Sequence, residues 1–365
     1  MDAAYPFERL HVAVRERPIT EDELGDVRLR LKVDEDKLVA FAPGATEGLM
    51  YDCDNYFPCG TSQEEVSQTI GSQMVDLALQ GLSCNVVVFG FTDTGKTHTL
   101  YGDNNVTGLI HDTVRELYTR LDAQSDAYSA DVLLRYWEMN RDAVEDNLRD
   151  ESGEDDACTY AISRDSLDRL TIPNLATVEV PTMEDFLAQL DRGNNNRIRR
   201  SYERMVRWHG FVQLTITTTD KAEGERNIIR TMTFIHMKGT DRVGAKGIRG
   251  EHLKEGSSIN VSVTLLGAAV IHSLEYREKR KARTTTLESY RALIRRSQSF
   301  FMECKFSRIM SQFICGFEGS FVVGCTSPLH YGESIETLEH LQLFRRLECA
   351  LKPIVVVSNR GLLLR

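Results

Sequence analysis

Within "GFTDTGKTHT", residues 90–99, Gly90, Gly95, Lys96 and Thr97 fit the spacing G-x-x-x-x-G-K-[ST]. Residues of these types at this spacing handle phosphate. The glycines let the backbone curl so that successive amides point at phosphate oxygens, Lys96 would reach the outer phosphates, and Thr97 would bind magnesium. Thr92, Thr94 and His98 complete the candidate contacts. The expectation is a nucleoside triphosphate site; a remnant loop that binds nothing is the plainer alternative.

Such a loop must be held between a strand and a helix, and the flanking sequence supplies both. "NVVVFGF" is a continuous apolar run that predicts a strand buried on both faces. Ahead of it, "SQEEVSQTIGSQMVDLALQG" predicts a helix, opened by Ser62 with Glu65 three residues on and carrying Val66, Ile70, Met74 and Leu77 on one face. "LHVAVRERP" and "VLLRYWEMN" read as strands, and "FVQLTITTT" and "RTMTFIHM" as neighbouring ones. "TMEDFLAQLDRG" reads as a helix capped by Thr182 and ending before Gly193. Alternation of this kind points to an α/β layered domain over residues 1–350, with "LKPIVVVSNRGLLLR" at residues 351–365 as a Pro-led extension.

With 365 residues the chain can bury a sizeable core, and its net charge of −10 argues against direct nucleic-acid binding, which needs a basic surface to release counterions. Eight cysteines without any C-x-x-C pair suggest reduced thiols rather than a zinc site or disulfide framework. No leader-like N-terminus and no apolar run near the roughly 18 residues of a membrane span are seen, so a soluble intracellular protein is expected. Residues 275–299 run against the acidic balance, with eight Lys or Arg against three Glu. Runs of this kind are commonly just solvated faces.

The segment "VFGFTDTGKTHTLYG" resembles the phosphate loop of kinesin motor domains, and the resemblance continues in order along nearly the whole chain. "VAVRERP" resembles the adenine-contacting motif, which implies that Arg15, Arg17 and Pro18 border the base. "RYWEMNRDAVEDNL" resembles the family's E-x-Y-N-E-x-x-x-D-L strand, and "GEHLKEGSSINVSVTLLGAAVIHSL" its relay helix. "FMECKFSRIMSQFICG", "TSPLHYGESIETLEHLQLF" and "LKPIVVVSN" resemble the segment beside that helix, the last strand and helix, and the neck linker. The resemblance implies a central, mostly parallel β-sheet with helices on both faces, ATP or ADP with Mg2+, and microtubules as partner. A cytoplasmic, cytoskeletal location is implied, with a nuclear or spindle role open, as is a homo- or heterodimer through a coiled coil beyond this chain. Arg277, Lys279, Arg280, Lys281 and Arg283 would lie in a basic loop facing acidic tubulin, with Lys305 and Arg308 beside it. Against this, Asp150, Glu151, Glu154, Asp155 and Asp156 fall near another expected contact loop and would repel tubulin if they pointed there.

Two departures from the family bear on hydrolysis. Switch I normally reads N-x-x-S-S-R-S-H. Here the aligned "ERMVRWHG" puts Met205 and Val206 at the central serines and Trp208 at the last, keeping Arg207 and His209. Switch II normally reads D-L-A-G-S-E. In "FIHMKGTDR", His236 stands at the magnesium-holding aspartate, Gly239 is retained, Lys238 replaces alanine, and Asp241 shortens the glutamate. Methionine and valine offer no oxygen, and imidazole is a poor substitute for a carboxylate beside a hard cation. Single positioned groups are worth about 10² to 10³ in rate, so these losses predict an ATPase that is slow or absent with weakened magnesium dependence. Service by Ser201, Glu203 or Asp241 is the alternative. Three readings follow: a nucleotide-loaded tether or passive partner, an active motor with unusual switches, or an interaction module that has lost the filament.

Overall fold

The computed structural model describes residues 7–149, 160–166, 168–204, 208–222, 226–239, 251–282, 284, 286–351 and 354–357. The acidic stretch 150–156, the switch residues Met205, Val206, Arg207 and Asp241, and Arg283 lie outside them.

A ten-stranded sheet forms the centre. Its main strands are β1 (His11–Glu16), β2 (Asn55–Phe57), β3 (Cys84–Phe89), β4 (Tyr128–Asn140), β5 (Val178–Glu179), β6 (His209–Asp220), β7 (Arg226–His236) and β8 (Gly319–Thr326). They lie in the order β5-β4-β6-β7-β3-β8-β1-β2. From β7 to β2 every pairing is parallel, whereas β6 pairs antiparallel with both β4 and β7. All six residues of β3 are buried, as a central parallel strand covered on both sides requires.

Alternation along the strands divides the core in two. On one face Val86 and Val88 of β3 and Phe234 of β7 pack against Val66, Ile70 and Met74, Leu100, Val114 and Leu117, and Phe186. Those side chains belong to α1 (Gln63–Val66, a π-helical turn Ser67–Gly71, then Ser72–Leu79), α2 (Lys96–Tyr101), α3 (Leu109–Asp122) and α4 (Met183–Arg204). On the other face Val87, Phe89 and Ile235 meet Leu266 and Val270, Phe306 and Phe313, and Leu338 and Leu341. These belong to α5 (Glu251–Lys281), α7 (Lys305–Ile314) and α8 (Tyr331–Arg345), with α6 (Leu287–Ser297) between α5 and α7. The layering is the α/β arrangement expected from the sequence.

Ser62 caps α1 by accepting from the Glu65 amide at 3.1 Å, and the Thr182 hydroxyl accepts from Asp185 at 3.1 Å. Gly193, however, does not end α4, which runs on to Arg204. A Cβ at Gly193 would fall 2.2 Å from Cδ1 of the buried Tyr136 ring. The glycine is there to let the helix meet the sheet rather than to stop it.

Two further strands tie in the C-terminal part. β9 (Glu348–Ala350) pairs antiparallel with Phe7–Arg9, and β10 (Val355–Val357) adds to the edge of β7 at Arg226–Ile228. Val355–Val357 therefore contribute to the central sheet.

Candidate nucleotide site

The loop between β3 and α2 takes three left-handed or open conformations in succession. Gly90 has φ 143°, and a Cβ there would meet the Cys325 carbonyl oxygen at 2.3 Å. Asp93 (φ 61°) and Gly95 (φ 89°) complete the curl that brings the chain into α2 at Lys96. The loop closes on itself: Thr94 Oγ1 donates to the Phe91 carbonyl at 2.8 Å, and Lys96 Nζ donates to the same oxygen. Lys96 is buried, so its ammonium is held over the loop rather than spread into solvent.

A cleft of about 520 Å³ opens beside this loop, lined by Arg15, Arg17, Pro18 and Thr20 on one side and residues 93–99 on the other. That volume is in the range of small-molecule sites. Arg15 is turned inward: its Nη1 donates to Gln63 Oε1 at 2.6 Å and to Thr99 Oγ1 at 2.9 Å. It braces the floor of the cleft, and its guanidinium is already engaged there. Arg17 lies at the rim, bridged to Glu23 at 2.8 Å and bonded through Nε to Ser327. The Arg17 hydrogen bond holds the Glu23 carboxyl down at about 2. His98 is half-exposed, with Nε2 3.4 Å from Asp103.

Switch II reaches the loop from β7. A Cβ on Gly239 would lie 2.7 Å from the Thr92 amide nitrogen and 2.8 Å from Lys96 Nζ, so only glycine lets this backbone rest against the loop. Three residues earlier, the buried His236 places Nε2 3.3 Å from Thr97 Oγ1 and Nδ1 3.5 Å from Arg197 Nη2. Burial, reinforced by Arg197, Lys96, Lys238 and His209, holds this imidazole well below the ordinary histidine range, and it is neutral at pH 7. Arg197 Nε in turn donates to Glu138 Oε1 at 2.5 Å, and the guanidinium lies 5.6 Å from the centre of the Tyr101 ring.

These surroundings do not fit a magnesium ion. Mg2+ demands near-octahedral oxygen donors. At Thr97 the hydroxyl oxygen faces an imidazole, with the Arg197 guanidinium on the far side of that ring. Among the described residues no cluster of three His, Cys, Asp or Glu side chains could hold a metal.

His209, at the start of β6, links switch II to α5. The Lys238 amide donates to its Nδ1 at 3.0 Å, so Nε2 carries the proton and donates to Ser262 Oγ at 3.0 Å, which donates to the Ile259 carbonyl. Its ring stacks on Phe306 at 4.0 Å between centroids. Burial pushes its ordinary value down to about 3, in keeping with a structural hydrogen-bonding group.

Arg197, Glu138 and Gln63 did not stand out in the sequence. Arg197 follows Gly193 by one helical turn, so it faces the same strand, and Glu138 sits two residues beyond Tyr136 on one face of β4.

The basic run is helical up to Lys281 rather than a loop, and it divides. Arg277 is buried, donating to Ser297 Oγ at 2.9 Å, the Glu348 carbonyl at 2.7 Å and Cys315 Sγ at 2.7 Å. This corrects its placement in a basic loop: Arg277 lies within α5 and points inward. Lys281 is exposed but bridges Glu348 at 2.7 Å. Lys279 and Arg280 are exposed, and Arg280 covers the Tyr276 ring at 3.9 Å. Lys305 is half-buried, with Nζ donating to the Tyr160 carbonyl at 2.8 Å, and Arg308 is half-buried on the same helix.

The kinesin motor domain family model matches residues 15–346. A mouse relative, kinesin-like protein KIF18B, is 26% identical over 95% of this chain and 42% of its own length. Kinesin-like protein 5 of Schizosaccharomyces pombe is 26% identical over 81% of this chain and 32% of its own length. The chain thus spans less than half the length of these curated relatives. Among solved structures, a KIF14 dimer in a two-heads-bound state, with AMP-PNP and in complex with a microtubule, superposes with TM-score 0.79 at 19% identity, covering 95% of this chain and 96% of that one. A structure described as a fast kinesin gives 0.77 at 18% identity, covering 98% and 97%.

Proposed function

Because the chain belongs to the kinesin motor-domain family, we propose that it binds microtubules and holds ATP or ADP while hydrolysing nucleotide very slowly or not at all. The observation that carries this reading is the pairing of an intact phosphate loop with His236, whose imidazole faces Thr97 where the family's resemblance calls for a carboxylate. Binding needs the curled amides, Lys96 and Thr97; hydrolysis needs more. Phosphoryl transfer rests on positioned charges and oxygens, so a site without them keeps affinity and loses rate. The residues in the binding role are Gly90, Thr92, Thr94, Gly95, Lys96 and Thr97, with Arg17 and Pro18 at the rim of the cleft.

On this reading the protein is a cytoplasmic, microtubule-associated tether, or the passive partner of an active motor in a dimer formed by a coiled coil outside this chain. Lys279, Arg280, Lys305 and Arg308 are its candidate tubulin contacts, and β10 is the neck-linker-like element. Retention of Gly239 against Lys96 favours, as second reading, a motor that still senses the terminal phosphate. Co-sedimentation with microtubules across a salt series, in ADP and in a non-hydrolysable ATP analogue, tests the filament half. Salt-sensitive pelleting is expected, and failure to pellet at low salt leaves an interaction module without a filament.

A further inference from the structure

We propose that this site takes up its nucleotide free of metal, with the N–H of His236 standing where a divalent cation would meet Thr97. The proposal rests on the nucleotide-binding reading above and specifies the chemical form of the ligand: an uncomplexed nucleoside di- or triphosphate.

Hydrogen-bond direction carries the argument. A guanidinium only donates, so the Arg197 Nη2 contact at 3.5 Å makes His236 Nδ1 the acceptor. The proton then sits on Nε2, which donates to Thr97 Oγ1 at 3.3 Å; the tautomer is assigned from these partners. An N–H directed at that oxygen cannot be a metal ligand, and it takes up one of the two lone pairs of the Thr97 hydroxyl. Accepting from His236 leaves the Thr97 O–H free to donate, which is the role a bare phosphate oxygen rewards.

The ring is not free to swing away. Arg197 is pinned by Glu138 at 2.5 Å, with both side chains about 95% buried. Tyr101 packs at 6.0 Å from the imidazole and 5.6 Å from the guanidinium. Below, Gly239 rests against Lys96 Nζ and the Thr92 amide. Lys96 already supplies positive charge next to the position, while the Arg197 charge is balanced by Glu138. Polyphosphate charge is met by fixed side chains and amides in place of an ion.

Anisotropy titration of the protein with a fluorescent ADP, in excess Mg2+ and in excess EDTA, tests this directly. Binding in EDTA is expected to be at least as tight as in Mg2+, where complexation depletes the free nucleotide, whereas a metal-requiring site loses about tenfold or more in EDTA. His236→Asp should recreate a metal-dependent site, raising the ratio of the dissociation constant in EDTA to that in Mg2+ to about tenfold or above. Wild-type binding more than about threefold weaker in EDTA than in Mg2+ overturns the proposal, as does a His236→Asp protein that binds equally well with and without metal. The wild-type ratio stands even if that variant fails to fold. Absence of binding in both buffers overturns the nucleotide reading itself, which separates the two failures.

Discussion

Arg197 and Glu138 form a buried ion pair, Nε to Oε1 at 2.5 Å, directly behind the imidazole of His236. A charge pair in such a place is stable only when both members are present, because either one alone would be an uncompensated buried charge. Glu138→Ala should therefore cost about 3–5 kcal/mol of stability, read as a lowered urea midpoint, and the double change Glu138→Leu/Arg197→Met should recover most of it. Equal stability of wild type and Glu138→Ala would mean that the pair opens to water in solution.

Lys96→Ala removes the ammonium held over the loop at Phe91. Loss of a charged hydrogen-bonding group is worth about 1.5–3 kcal/mol, so nucleotide affinity should fall roughly 10- to 100-fold with the unfolding midpoint nearly unchanged. Fluorescent-nucleotide titration and urea unfolding of the same sample check both halves.

Gly193→Ala places a methyl 2.2 Å from Cδ1 of Tyr136, a side chain that is itself fully buried. The gain in helix propensity, about 1 kcal/mol, is outweighed by overpacking that forces α4 off the sheet. A net loss of stability is expected, measurable by urea unfolding, together with weaker nucleotide binding because Arg197 lies one turn further along α4.

Glu318 sits at the opposite end of the sheet, bonded to Gln312 at 2.9 Å and Asn85 at 3.3 Å. Burial raises its carboxyl from the ordinary 4.5 to about 7. Between those values the folded protein binds more protons than the unfolded chain, so stability falls as pH rises through this window and the loss is complete above about pH 7. The full effect is about 3 kcal/mol by linkage. Glu318→Gln should flatten stability between pH 5 and 8, checked by urea midpoints across that range.

Arg277 and Lys279, two residues apart, should fail differently. Lys279→Glu should weaken microtubule pelleting and reduce its salt dependence while leaving the unfolding midpoint in place, as expected of an exposed charge. Arg277→Ala should lower the midpoint, since its guanidinium holds Ser297, Cys315 and Glu348 together.

The same contrast marks what could be read from the sequence. A cap such as Ser62, a buried run such as β3 and the alternation of β6 are local signals, and their elements lie where periodicity puts them. Gly193 misled because a glycine that ends a helix and one that lets a helix touch an aromatic ring are written identically. Arg277 looked like its exposed neighbours because burial depends on which face of α5 meets β9, a long-range fact. The loop residues of the candidate site were legible from spacing alone. The Arg197–Glu138 pair was not, since its partners are 59 residues apart and meet only when α4 packs on β4. The inward turn of Arg15 toward Gln63 and Thr99 is hidden for the same reason.

Phosphate release from magnesium ATP, with and without polymerised tubulin and beside a Lys96→Ala control, reports whether nucleotide is held without being turned over. A rate equal to that of the control under both conditions is the predicted result. Release that rises with microtubules and disappears in Lys96→Ala would contradict it, and would mean that other groups have taken over the work of the missing switch residues.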